Sequence, residues 1–467
     1  MDTERQHHSV TLAVLTLAGT AFAFQQTMVF PALPTFQEEF GASTAWTTWV
    51  LTAFLVSAAV TTPILGKLGD QYGKERMLLV SLGLFLLGCV GAAAAWDIWS
   101  LIGFRALSGA GGALFPLSFA IIRDEFPPER VGVGIGLLSA VFGVGGGFGI
   151  VLSGVIVDHF SWRLLFVLGS IPVAASLLLV HRFVPESPIR TPSRVDVPGA
   201  LLLSGALVTF MLALTEGEHW GWLSAQTLGL VATSAVIFLA WGFVESRSPA
   251  PMVDLHMLAH RPVLLTNVTT MISGFALFSC FVLVPAFVAS SGHGYGFGAS
   301  ATQAGLFLLP SSIAMLFSGP AAGVVGRRVG SKWPLAAGMV MVALAALLLS
   351  FAHDEAWQIV LASGLLGVGV GAAFAAMVSL IAENVDAREM GIATGMNTVV
   401  RMVGAVVGGQ IGAALLTAQT IGATSVPAES AFTWAFGLGA GAALVAAAVA
   451  LSITPRPLRR LAPAQAT

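Results

Sequence analysis

Residues 63–73 read Pro63-Ile64-Leu65-Gly66-Lys67-Leu68-Gly69-Asp70-Gln71-Tyr72-Gly73, and 257 positions later the chain reads Pro320-Ala321-Ala322-Gly323-Val324-Val325-Gly326-Arg327-Arg328-Val329-Gly330. One proline and three glycines keep their places. The same shift turns Phe40-Gly41-Ala42-Ser43 into Phe297-Gly298-Ala299-Ser300, and a shift of 259 carries Gly132, Gly136, Gly145 and Gly149 onto Gly391, Gly395, Gly404 and Gly408. An offset that stays nearly constant over about a hundred positions marks a duplicated unit.

The duplicated unit is greasy. Of 467 residues, 56% are hydrophobic and 9% charged, against about 25% charged in a soluble domain. The mean hydropathy is +0.87. In water such a surface would expose large apolar patches, so its solvent is lipid. Two homologous membrane halves facing each other are the usual architecture of a secondary transporter, with the substrate site between them. Cys89 and Cys280 both fall in apolar segments and make neither a metal site nor a disulfide framework. The nine histidines form no cluster with cysteine, so no metal and no cofactor are expected. No Gly-rich loop runs into Lys-Ser or Lys-Thr, which excludes the common ATPase motif and leaves ion gradients as the energy source. The first apolar stretch lacks a small-residue cleavage site and reads as a retained helix.

A helix needs about 20 apolar residues to cross the hydrocarbon core. Fourteen segments qualify: 10–30, 46–66, 77–95, 100–122, 132–156, 162–182, 197–215, 226–244, 264–289, 302–324, 333–351, 356–381, 392–416 and 431–453. With the N-terminus in the cytoplasm, 18 of the 21 Lys and Arg residues fall on the cytoplasmic side. They include Arg5, Arg190, Arg194, Arg456, Arg459 and Arg460. Arg163 alone lies on the other side, and Arg105 and Arg401 lie within spans. The positive-inside rule therefore places both termini in the cytoplasm and favours an even number of spans. The repeat divides the chain into an N-terminal six-helix bundle (1–183), a linker with two inserted helices (184–262), and a C-terminal six-helix bundle with its tail (263–467). The expected fold is an all-α integral membrane protein of fourteen transmembrane helices, built from two pseudo-repeated bundles plus an inserted pair. Trp46, Trp49, Trp96, Trp99, Trp162, Trp220, Trp222 and Trp434 sit at outer span ends, as an interfacial belt does.

Gly66-Lys67-Leu68-Gly69-Asp70-Gln71-Tyr72-Gly73-Lys74-Glu75-Arg76 resembles the helix 2–3 signature of the major facilitator superfamily. Its glycines suit a tight cytoplasmic turn, and Asp70 can latch an inner gate by pairing with cations or with a helix N-terminus. Further stretches are similar to the fourteen-helix drug:proton antiporter branch: Ser161-Trp162-Arg163 with Phe166, Asp196-Val197-Pro198-Gly199, Trp220-Gly221-Trp222, Leu308-Leu309-Pro310, and Gly391-Ile392-Ala393-Thr394-Gly395-Met396-Asn397 followed by Arg401. Gly145, Gly146, Gly149 and Gly154 resemble the helix 5 signature of exporters, although Gly146 and Ile150 stand where that signature has Pro. Small residues there let helix backbones approach closely.

The resemblance implies export of lipophilic or amphipathic small molecules by alternating access, driven by protons, from a plasma membrane. It also implies a role for Arg105 in coupling; Ser108 replaces the family's Gln, and the repeat partner of Arg105 is Gly364. Where the branch has an Asp in its first helix this chain has Gln25, which cannot titrate. Without a central carboxylate, neutral or anionic substrates fit better, with Arg105 and Arg401 as charge partners. Gln25, Gln26, Asn267, Gln303, Asn397 and Arg401 are the remaining candidates for the substrate or coupling path. Each polar residue among them also has a reading as a helix-to-helix hydrogen bond. The cavity is expected between helices 1, 4 and 5 and their repeat partners 9, 12 and 13. Partners are the bilayer, a small molecule and protons; no nucleic acid is expected, and the chain reads as a monomer. Two other readings remain: a facilitator or importer of a polar metabolite, and a non-transporting membrane sensor on a transporter scaffold. No nucleophile, His cluster or carboxylate pair lies in a span, so an enzyme is not expected.

Overall fold

The computed structural model describes residues 8–42, 44–187, 196–290, 295–421 and 426–454. Ser43, linker residues 188–195 and the basic residues Arg5, Arg190, Arg194, Arg456, Arg459 and Arg460 lie outside the described residues. Fourteen described helices are long and apolar enough to span a bilayer. We number them α1 (His8–Thr27), α2 (Trp49–Tyr72), α3 (Lys74–Ala93), α4 (Ile98–Glu125), α5 (Pro128–His159), α6 (Arg163–Phe183), α7 (Val197–Gly217), α8 (Ala225–Glu245), α9 (Arg261–Ala289), α10 (Thr302–Val329), α11 (Lys332–Phe351), α12 (Ala356–Asn384), α13 (Ala387–Ala418) and α14 (Glu429–Leu451). Each expected segment has its helix. Several helices run past the apolar window where the flanks are charged: α2 continues to Tyr72 and α10 to Val329. Polar residues at a span end can reach water without ending the helix, so hydropathy stops before the backbone does.

Local chemistry fixes the ends. Asp97 and Ser100 form a capping box that starts α4, and Ser300 and Gln303 form one that starts α10. Asp196 caps α7 through the Gly199 N–H at 2.8 Å, and Ser224 caps α8. The duplicated glycines turn the chain. Gly73 (φ 122°) separates α2 from α3, and Gly330 (φ 93°) separates α10 from α11 at the equivalent place. Gly41 (φ 57°) and Gly298 (φ 61°) form a second such pair. Side chains other than glycine rarely adopt these backbone angles, so the repeat read from sequence is a repeat of turns. Inside α4 the helix tightens to a 3-10 turn over Gly109–Ala113. Ser81 Oγ donates to the Ala110 carbonyl at 2.8 Å there, satisfying a backbone group that lipid could not.

Three buried apolar clusters organise the core. The first gathers α1–α6 residues such as Phe22, Phe54, Phe85 and Phe115 and reaches across to Val378 and Ile381 of α12 and Met390 and Ile392 of α13; the second gathers α9–α14 residues such as Phe287, Met339, Leu366 and Phe436; the third gathers Met28, Phe36, Trp162 and Phe166 of the N-terminal half. Leu203 and Leu207 of α7 and Trp241 of α8 join the first cluster. The inserted pair thus packs on the N-terminal half, and α7 also touches α13. Between the halves, α5 packs along α10 and α13 packs along α2. The repeat relates α2 to α10 and α5 to α13, so these two seams are equivalents of one another. Much of the outer surface is apolar, with Leu223, Leu239, Phe243 and Phe317 exposed.

Candidate functional site

Helix ends alternate, so the loops carrying most of the basic residues share one face, here called the basic face. A cavity of about 570 Å³ lies between the halves and is lined from mid-depth to the opposite, far face. Its deep wall holds Gly143, Val370, Phe374 and Arg401, and Pro31, Ala289 and Ala304 lie at helix ends on the far face. The lining comes from α1, α2, α5, α7, α9, α10, α12 and α13. Helix α4, expected in the lining, contributes nothing to it; α2 and α10 flank the cavity instead, and Met211 of α7 adds to the wall. The wall is mostly Leu, Phe, Met, Val and Gly.

Of the residues singled out in the sequence, Gln26 and Arg401 line this cavity, together with Gly146 of the helix 5 glycines. The guanidinium of Arg401 lies 4.5 Å from the ring centre of Phe374. The others sit elsewhere. Gln25 is fully buried, packed so closely on α6 that a Cβ at Gly169 would meet its amide. Arg105 is fully buried behind α2, where its Nε donates to the Val50 carbonyl at 3.2 Å and its guanidinium covers Phe54 at 4.2 Å. Asn397 donates to Asn267 Oδ1 at 2.8 Å and to Thr270 Oγ1 at 2.9 Å, a polar clasp between α13 and α9. Gln303 belongs to the α10 capping box on the far face. Gly145 and Gly149 let α5 close on α1, against Thr20 and Ala23 and against Phe24 and Thr27, while Gly154 meets Thr302 of α10.

Towards the basic face the cavity ends in a seal made largely of backbone. A Cβ at Gly66 would lie 2.7 Å from the Gly391 carbonyl oxygen, and one at Gly323 would lie 2.0 Å from that of Gly132. Shifts of 257 and 259 turn the first pair into the second, so the α2–α13 and α5–α10 seams use the same contact. Gly136 and Gly319 add a further close approach on the α5–α10 seam.

The two seams differ in charge. Asp70, 2% exposed, accepts the Gly391 and Ile392 N–H groups at 3.2 and 3.1 Å, holding the start of α13 across the interface. A carboxylate at a helix N-terminus meets both unpaired donors and the positive end of the helix dipole. Lys74, fully buried, pairs with Asp124 of α4 and lies 3.9 Å from Asp70. Arg123 donates to the Val385 carbonyl at 2.6 Å, a second strap onto the C-terminal half. Behind them Ser187 hydrogen-bonds Asp124, and Glu186 accepts from the Glu75 N–H at 3.2 Å at the start of α3. Gly73 and Arg76 complete the turn: a Cβ at Gly73 would strike the Glu186 carboxylate, and Arg76 lies 3.9 Å from it. At the repeat position of Asp70 stands Arg327, so the second seam has no such carboxylate. The tie from Glu186 escapes a sequence reading, because Pro185-Glu186-Ser187 looks like linker. The Arg123-Asp124 pair at the end of an apolar run is the one signal for its own role.

On the far face, Trp49 Nε1 donates to Glu216 Oε1 at 2.7 Å, fastening α7 to α2. His353, Asp354 and Glu429 bring their ligand atoms within 4.8 Å of one another, a grouping that sequence spacing does not suggest. His353 is held by the Leu349 carbonyl at 2.7 Å and by Glu429 at 2.9 Å, pinning α14 to α11.

The sequence profile of the Major Facilitator Superfamily matches residues 15–296 and 266–467. Over 365 residues the chain is 31% identical to "Multidrug resistance protein 3" of Bacillus subtilis (strain 168), covering 77% of this chain and 70% of that protein. Over 416 residues it is 28% identical to the "Tetracenomycin C resistance and export protein" of Streptomyces glaucescens, covering 87% and 74% respectively. It is 30% identical over 380 residues to "Multidrug resistance protein Stp" of Mycobacterium tuberculosis (strain CDC 1551 / Oshkosh), covering 81% and 70%. Among solved structures, the human organic anion transporter MFSD10 (TETRAN) superposes with a TM-score of 0.69 over 95% of this chain and 99% of that one, at 15% identity. That likeness speaks to the fold alone.

Proposed function

The chain belongs to the major facilitator superfamily, and from that premise we propose that it exports small lipophilic or amphipathic compounds by alternating access, driven by a proton gradient. The observation that carries the reading is the apolar cavity between two seams, sealed on the basic face by paired glycines and open to lining residues of the far face. An apolar wall with few polar groups suits lipophilic cargo. Rocking the halves about the seams would exchange access from one face to the other. Relatives named for multidrug resistance and for export agree with the direction. The test is the purified protein in liposomes, with and without an imposed pH gradient, over a panel of lipophilic compounds. Gradient-dependent movement of panel members is expected, and no movement of any of them overturns the reading.

In a plasma membrane the basic face would be cytoplasmic, and the structure would then be outward-facing. Ser161 and Ser246 are exposed on the far and basic faces respectively, and Cys89 and Cys280 are both buried. An impermeant maleimide added to intact cells should label Ser161→Cys, and should label Ser246→Cys only after lysis. Labelling of Ser246→Cys in intact cells would reverse the orientation.

Asp70, Lys74 and Arg76, with the turn glycines Gly66, Gly69 and Gly73, form the inner gate in this proposal. Asp70→Asn keeps the shape and removes the charge facing two N–H donors. Hydrogen bonds to charged groups are worth about 1.5–3 kcal/mol, so turnover should fall about tenfold with the fold intact. An unaltered transport rate would leave Asp70 without a gating role.

A further inference from the structure

Among the described residues lining the cavity, Arg401 alone carries a formal charge. None of these described lining residues is a carboxylate. Asp70 and Asp124 lie below the seal, and Glu216 is engaged by Trp49 at the far-face end of α7. The second embedded cation, Arg105, is turned away behind α2. The cavity therefore has a positive interior, and low-dielectric walls make charge count for more there than in water. A cationic guest would be repelled by Arg401. An anionic guest would meet a guanidinium whose face already rests on Phe374 and whose N–H donors lie in its plane, the geometry that suits an acid group. Gln26 adds an amide to the same cavity, and Phe54, Phe281 and Phe374 supply aromatic wall.

We infer that the cavity selects amphipathic aromatic anions, with Arg401 anchoring the acidic group and the phenylalanines taking the rings. This deepens the export reading and rests on the cavity being the substrate site. It also separates the two arginines that look alike in the sequence, making Arg401 a specificity residue and leaving Arg105 a buried support for α2.

Three dansyl probes of similar size differ in charge: dansylglycine is an anion, dansylamide is neutral and dansylcadaverine is a cation. Binding to the purified full chain, read by dansyl fluorescence, should favour dansylglycine over dansylcadaverine by about tenfold or more. In Arg401→Gln the ratio of dansylglycine to dansylamide affinity should fall about tenfold, and Arg401→Lys should restore most of it. Dansylamide binding reports whether Arg401→Gln still folds. Equal affinities for the three probes, no binding of any of them, or a parallel loss of all three in Arg401→Gln overturns the inference. Phosphatidylglycerol is then added at the probe concentration. Displacement of dansylglycine by it would assign the site to a lipid headgroup and overturn the inference, whereas retention supports a free organic acid. The export reading is tested apart from this, by movement of dansylglycine in liposomes. Selective binding without movement sinks export and leaves the anion site standing.

Discussion

Gly323→Val should open the seal on the basic face and cut transport at least about tenfold. The first added carbon would lie 2.0 Å from the Gly132 carbonyl oxygen, and the obstruction is backbone that no rotamer change can move aside. Overpacking of this kind costs about 1–3 kcal/mol, which at about 1.4 kcal/mol per tenfold is enough to depopulate the closed arrangement. Gly66→Val should do the same on the equivalent seam. Gly83→Ala, in α3 with nothing within 4 Å of the new carbon, is the control and should behave as wild type. Spin labels at Arg130→Cys and Arg327→Cys, exposed on the two sides of the α5–α10 seam, would report the separation directly. Wild-type transport and an unchanged label distance in Gly323→Val would show that the glycine contact is not the seal.

The second large effect is on stability. Lys74→Met should lower the thermal midpoint sharply, because it leaves Asp70 and Asp124 buried without the cation between them. Removing one partner of a buried ion pair typically costs about 3–5 kcal/mol, more than most single substitutions. Adding Asp124→Asn to Lys74→Met should recover part of the loss, since the second change removes one stranded charge. A thermal unfolding series on the purified protein measures both. Equal midpoints for wild type and Lys74→Met would mean that the pair is solvated and that the buried geometry is not maintained in the membrane.

The fold was largely legible. Apolar runs of spanning length gave the fourteen helices, and the 257-residue echo located equivalent turns at Gly73 and Gly330. The site was legible only in part. Arg105 and Arg401 are each a lone charge in an apolar run, and nothing in their sequence neighbourhoods says that one faces a neighbouring helix and the other a cavity. In lipid-facing, helix-facing and cavity-facing positions the surrounding residues are equally apolar, so periodicity has no contrast to read. The same ambiguity hides Gln25 and Gln26. They are adjacent in sequence, yet one is packed on α6 and the other lines the cavity. Glu186 was hidden for a different reason, since its partners are backbone N–H groups more than a hundred positions away.

The seal also bears on how such a protein can change over generations. None of Gly66, Gly132, Gly136, Gly319, Gly323 and Gly391 lines the cavity, and the closest contact of each is with backbone. The glycine contacts that close the seal therefore lie apart from the residues that hold cargo. Substitutions at Leu51, Phe281 or Phe374 can reshape what is accepted without touching these glycine contacts. Changes in the glycines can only damage closure and cannot retune acceptance. A lineage built this way can drift in cargo range while its mechanics stay fixed, so acceptance of a new compound needs changes in the cavity wall alone.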